Sequence, residues 1–184
     1  MEDPVISVKP LADWRGLPLL ALALPALFEA TVDDPGLPYV VTLRLAYDGD
    51  QVACESATCS RRPGGPPVTS EGRTSIRVAD LVYRAAREAV REPATLLVGK
   101  GGGKRLVVVT TEADPPPAPA GRAGPGREHL RYVGRVYAIA YACRGNPRRE
   151  VMNELGLSRT TANRWITAAR EGGYLPPRPE GEET

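Results

Sequence analysis

The chain has 184 residues, room for one medium domain or two small ones. Its hydrophobic share of 42% permits a buried core, but with 5% aromatics that core must rest on Val, Leu and Ala. Three cysteines (Cys54, Cys59, Cys143), no CxxC pair and one histidine (His129) argue against a structural zinc site and for reduced thiols in a cytoplasmic protein.

The N-terminus carries Glu2 and Asp3 in place of a basic leader, and the apolar run from Leu17 to Phe28 is too short to span a bilayer and holds Pro18 and Pro25. It reads as core, in a soluble protein with no membrane partner. Charge is unevenly spread. Residues 1–114 hold 13 Lys+Arg against 15 Asp+Glu, whereas the stretch from Arg127 to Arg170 holds nine Arg against three Glu, a local +6. A basic concentration on a helical segment suits a phosphate-contacting surface.

In chain order, Val5–Val8 alternates as a short strand closed by Pro10. Leu27–Val32 reads as a strand and Asp33-Asp34-Pro35-Gly36 as a turn. Tyr39–Tyr47 alternates cleanly, with Val41, Leu43 and Leu45 on one face, and Asp48-Gly49-Asp50 turns it into a weaker return strand, Gln51–Cys59. On one straight strand Cys54 and Cys59 face opposite sides, so a mutual disulfide requires a bulge or turn. Arg61–Arg73 is polar, rich in Gly and Pro, and reads as loop.

Ile76–Glu92 reads as a helix ended by Pro93, with Val78, Leu81, Val82, Ala85, Ala86 and Ala89 as its apolar stripe. Asp80 and Arg84 are spaced for an i,i+4 pair. Leu96–Val98 and Leu106–Thr111 are strand-like and flank the basic loop Gly99–Arg105. That loop is not a phosphate-binding P-loop, because Val98 stands where the first glycine belongs and Arg105 replaces Ser/Thr. Asp114–Gly126 is a Pro/Gly linker, Arg127–Arg144 a scaffold helix with Leu130, Val133, Tyr137, Ala140 and Tyr141 on its apolar face, and the end beyond Leu175 a disordered tail.

The stretch 145–175 carries the functional signal. Pro147 suits a helix first turn, and Val151, Met152 and Leu155 recur at helical spacing. Gly156 breaks the run, Leu157 plugs it, and Ser158 is placed to cap a second helix. In that helix Ala162, Trp165, Ile166 and Ala169 share one face, while Arg159, Thr160, Asn163, Arg164 and Thr167 lie opposite. A helix-turn-helix needs this layout: one helix across the DNA backbone, the next in the major groove. Arg and Asn can make bidentate contacts to guanine and adenine edges. Arg159, Thr160, Asn163 and Arg164 are expected to read bases. Ser158, Thr161 and Thr167 are expected to dock on phosphate or the groove wall, with Arg148 and Arg149 of the first helix completing the DNA-binding set.

The segment also resembles the C-terminal helix-turn-helix of a set of actinobacterial proteins that carry a small N-terminal domain. Leu155-Gly156-Leu157-Ser158-Arg159, Thr161-Ala162, Arg164-Trp165-Ile166 and Ala169-Arg170-Glu171 carry the likeness, over about thirty residues. The piece from Val68 to Val90 is similar to their strand-to-helix region, and Met152 departs from their usual small residue. The resemblance implies DNA binding and a regulatory role.

The expected fold is therefore α+β. Residues 1–113 form an antiparallel sheet with one packed helix, 114–126 a linker, 127–175 an all-α helix-turn-helix domain and 176–184 a tail. The expected function is sequence-specific binding of double-stranded DNA in transcriptional regulation, as a homodimer through the N-terminal domain, with no cofactor or metal. The alternative is a non-catalytic interaction adaptor. Catalysis is disfavoured: Asp48, Asp50 and Glu55 cluster only at a hairpin turn, and no Ser/His/Asp or Cys/His set exists.

Overall fold

The computed structural model describes residues 4–17, 22–98, 103–109 and 124–176. The fold is α+β, with an antiparallel sheet in the N-terminal region and helices in the C-terminal region. Strands β1 (Val5–Pro10), β4 (Leu27–Asp33), β5 (Tyr39–Tyr47) and β6 (Val52–Arg61) form one sheet in the order β1-β4-β5-β6. Two short strands, β2 (Trp14–Gly16) and β3 (Ala23–Pro25), pair beside it, and β7 (Glu92–Val98) pairs with β8 (Gly103–Val109) as a separate ribbon.

Alternation decides which face is buried. Phe28, Ala30 and Val32 of β4 and Tyr39, Val41, Leu43, Leu45 and Tyr47 of β5 point into the core, and Thr31, Thr42 and Arg44 point out. Helix α2 (Val78–Ala89) closes this face with Leu81, Val82, Ala85, Ala86 and Ala89. Leu17, Leu22 and Leu24 join the same core, as expected of that apolar run; residues 18–21 of it lie outside the described residues.

Both acidic turns form. The Asp48 carboxylate accepts the amides of Asp50 and Gln51, each at 2.8 Å, and Gly49 takes φ +113° between the paired strands. Asp34 accepts the Gly36 amide at 2.8 Å. β6 is longer than expected, and a bulge between Arg44 and Leu45 puts Cys54 opposite Leu45 and Cys59 opposite Val41. The bulge therefore puts both cysteines on the same face of β6, where Cys59 packs partly against the core and Cys54 stays exposed, and both are free thiols.

Several local readings are corrected. A one-turn helix, α1 (Ser70–Thr74), interrupts the expected loop; Thr69 caps it by accepting the Gly72 amide at 3.1 Å. Helix α2 ends at Ala89, not Glu92, and Pro93 sits in β7. Val90 is extended, and the backbone of Arg91 bridges to Ala23, which pulls the chain out of the helix before the proline. The Asp80–Arg84 pair does not form. Arg84 reaches Asp34 across the fold at 2.7 Å, and Asp80 lies 3.6 Å from Arg149. Loop residues 99–102, the linker from 114 to 123 and the tail from 177 lie outside the described residues.

Helix α3 (Arg127–Ala142) ends two residues before the expected Arg144. It is buried on two sides. Tyr132, Val133 and Val136 belong to the helical core, whereas Ile139 and Ala142 belong to the sheet core. Tyr141, expected in the stripe, is exposed because the two contacts leave its side of the helix uncovered. Among the described residues no helix is long and apolar enough to cross a membrane.

Candidate nucleic-acid interface

Helices α4 (Pro147–Leu155) and α5 (Arg159–Glu171) form the helix-turn-helix. Each start is chemically specified. Pro147 occupies the first turn, and the Asn146 side chain accepts the Arg149 amide at 3.1 Å. The Ser158 hydroxyl accepts the Thr161 amide at 3.3 Å and lies 2.9 Å from the Thr161 hydroxyl. Ser158 capping was readable from the sequence. The Asn146 cap has a weaker sequence signal, an Asn directly before the Pro of the first turn.

The turn depends on Gly156, which sits at φ 60°, ψ 32°. The Leu157 amide returns to the Met152 carbonyl at 3.0 Å, closing the end of α4. Leu157 then folds back onto the helical core, as a plug should. That core is formed by Tyr132, Val133, Val136, Val151, Ala162, Trp165, Ile166, Ala169 and Leu175. Ala162 is fully buried, so its small side chain sits where helix approaches helix. His129 meets the edge of Trp165 at a ring separation of 5.5 Å, and Arg170 donates to the Tyr137 hydroxyl at 3.0 Å. Gly134 gives α3 a close approach to the turn after α5: an added Cβ would stand 2.5 Å from the Tyr174 carbonyl oxygen.

With one face of α5 fixed inward, the other is presented outward. Arg159, Thr160, Arg164 and Thr167 are exposed, and Asn163 and Thr161 are half-buried. Asn163, Arg164 and Thr167 line one open groove of about 380 Å³ with Pro125, Trp165 and Glu171. Ser158 and Arg159 lie at the helix N-terminus, where free amides favour an anion. Neither Asn163 nor Arg164 turns into the protein, and the two helices are not one continuous rod. On α4, Arg148 is half-buried and Arg149 exposed. Arg149 is already placed against carboxylates, 3.2 Å from Glu150 and 3.6 Å from Asp80.

A scan of family models, the curated proteins and the solved structures finds no match to this chain.

A polar seam that sequence spacing did not reveal sets how the helical unit sits on α2. Arg87 donates to Glu154 at 2.7 Å, and the Tyr132 hydroxyl donates to the other oxygen of Glu154 at 3.2 Å. With Asp80–Arg149 at one end and Arg87–Glu154 at the other, α4 runs alongside α2 in the same direction. Burial raises the Tyr132 phenol to about 12 and pushes Tyr83 further still, with the Glu154 charge adding to the Tyr83 shift. Both phenols therefore stay protonated at neutral pH, and Tyr132 can serve as a donor to Glu154. Among the described residues no group of His, Cys, Asp and Glu could hold a metal ion.

Proposed function

We propose that this chain is a sequence-specific binder of double-stranded DNA, a non-catalytic transcriptional regulator that reads the major groove with the helix 158–171. One observation carries the reading: the helix after the Gly156 turn packs through Ala162, Trp165, Ile166 and Ala169 and leaves Arg159, Thr160, Asn163, Arg164 and Thr167 on its outward side. A recognition helix needs both properties at once, a rigid seat and an outward row of hydrogen-bonding groups. Asn163 and Arg164 line a shared groove, and each good bidentate base contact is worth about 1–3 kcal/mol of discrimination. In this reading Arg159, Thr160, Asn163 and Arg164 face the bases, while Ser158, Thr161, Thr167, Arg148 and the free amides at the start of α5 are the phosphate-side groups. Arg149 contributes only if it exchanges Asp80 and Glu150 for phosphate. One such motif makes a small interface, so a second copy is expected to supply a second half-site.

The alternative, an interaction adaptor whose helical unit does not read DNA, is favoured by one observation: Arg149 faces carboxylates of the chain itself. A gel shift against random-sequence duplexes separates the two readings. A regulator gives selectable sites and an affinity that falls steeply with salt. An adaptor gives neither.

A further inference from the structure

Among the described residues β7 and β8 form a sheet of two strands only, in a register that sets Glu92 opposite Val109, Ala94 opposite Val107 and Val98 opposite Gly103. Opposite residues of an antiparallel pair share a face. One face of the ribbon therefore carries Thr95, Leu97, Leu106 and Val108, and the other Ala94, Leu96, Val98, Val107 and Val109. Both faces are apolar, and a lone two-stranded ribbon can bury neither. The two edges differ. Arg91, directly before β7, exchanges backbone hydrogen bonds with Ala23 of β3, its amide donating at 3.0 Å and its carbonyl accepting at 2.9 Å. Backbone groups alternate sides along a strand, so Pro93 falls on this β3 side, an edge position where its missing N–H is tolerated.

The outer edge of β8 has no such guard along its apolar half. By the same alternation Leu106 and Val108 turn their backbone N–H and C=O away from β7, and the basic residues that normally protect an edge, Lys104 and Arg105, stand only towards the tip. We propose that this edge pairs with β8 of a second copy, antiparallel about a two-fold axis at Val107, so that two ribbons join into one four-stranded sheet. Self-pairing of this kind is closed and uses one patch twice. The register agrees with the backbone: Leu106 meets Val108 of the other copy as a hydrogen-bonded pair, and Val107 meets its own counterpart as a non-hydrogen-bonded one. It also agrees with charge. Arg105 falls opposite Val109 of the other copy, and Val109 is opposite Glu92, so Arg105 and Glu92 of different copies share a face, two strands or about 10 Å apart. The basic tips lie at opposite ends of the joint, whereas parallel pairing would set Lys104 and Arg105 beside their own counterparts. This gives a surface to the second copy expected of a DNA reader, and because α5 takes no part in it, DNA is not needed to test it.

Sedimentation equilibrium of the full chain, without DNA, should show a monomer–dimer equilibrium, and Val107→Lys should weaken the dimer at least tenfold while keeping the parent's circular dichroism. Site-directed cross-linking decides the matter even if Val107→Lys fails to fold. In a Cys54→Ser background, which removes the exposed native thiol, Val107→Cys should form a disulfide-linked dimer on mild oxidation. Gly103→Cys should not, because the two copies of Gly103 would lie at opposite ends of the ladder, about 27 Å apart at 3.4 Å per residue. A chain that sediments only as a monomer, a dimer that folded Val107→Lys leaves as tight as the parent, or cross-linking through Gly103→Cys in place of Val107→Cys would overturn the proposal.

Discussion

Replacing Gly134 by alanine should destabilise the protein, although general helix propensity predicts the opposite. In the interior of an exposed helix, alanine is better than glycine by about 1 kcal/mol. At position 134 the new Cβ would lie 2.5 Å from the Tyr174 carbonyl oxygen and 3.5 Å from the Tyr174 Cβ. The oxygen is main chain and has no rotamer to escape into. Its residue is held by the Tyr174 amide on the Ala169 carbonyl at 2.8 Å, and the next residue, Leu175, is buried in the helical core. Relief therefore requires α3 and the turn after α5 to separate, which loosens the contacts that Tyr132, Val133 and Val136 make with that core. Overpacking of this kind costs about 1–3 kcal/mol. A main-chain obstacle puts it at the upper end, so the net loss is about 2 kcal/mol, equivalent to roughly 4–8 °C in Tm for a chain of this size. Urea unfolding followed by circular dichroism at 222 nm reads the change. A Gly134→Ala midpoint equal to or above that of the parent would show that α3 does not approach the turn so closely, and the packing of the helical unit described above would be wrong.

Two further predictions concern the seam and the core. Arg87→Ala and Glu154→Gln should each cost about 1.5–3 kcal/mol, the range for hydrogen bonds to charged groups, and a double-mutant cycle should show coupling above about 0.5 kcal/mol. Additive losses would mean that α2 and α4 are not joined through this pair. Burial raises the Cys143 thiol to about 12 from its usual 9. Because the folded value is the higher one, the stabilisation is complete below pH 9 and is lost as pH rises from 9 towards 12. The stability of the parent relative to Cys143→Ala should fall across that window, and Cys54 should react with a thiol reagent well before Cys143; a flat difference or equal reaction rates would place Cys143 at the surface.

The parts legible in the sequence were those governed by local pattern. β5 alternates without exception, and Ala162, Trp165, Ile166 and Ala169 mark the buried side of α5 by spacing alone. Ser158 and Gly156 mark the turn because a hydroxyl cap and a left-handed residue are local chemical needs. What was not legible came from distant partners. The polar segment Ser70–Thr74 becomes helical where Gly72 fits under the Tyr39 hydroxyl, a contact no local pattern encodes. Arg84 forsakes the carboxylate one turn away for Asp34, whose carboxyl is held below its usual range first by Arg84 and then by the Gly36 amide. α3 shows a blurred stripe because its two ends serve two cores, so spacing alone points Tyr141 inward although it is exposed. In the candidate interface, the outward positions of Arg159, Thr160, Arg164 and Thr167 followed from the buried face. The engagement of Arg149 with Asp80 did not, because it depends on how α4 sits beside α2.

The most direct test of DNA reading is selection of bound sites from a random duplex pool, followed by affinity measurement with Asn163→Ala, Arg164→Ala and the double variant. The account predicts a recoverable consensus, a folded double variant with the parent's circular dichroism, and loss of most discrimination between the selected site and random DNA. Recovery of no consensus, or a double variant that binds the selected site as tightly as the parent, would contradict it.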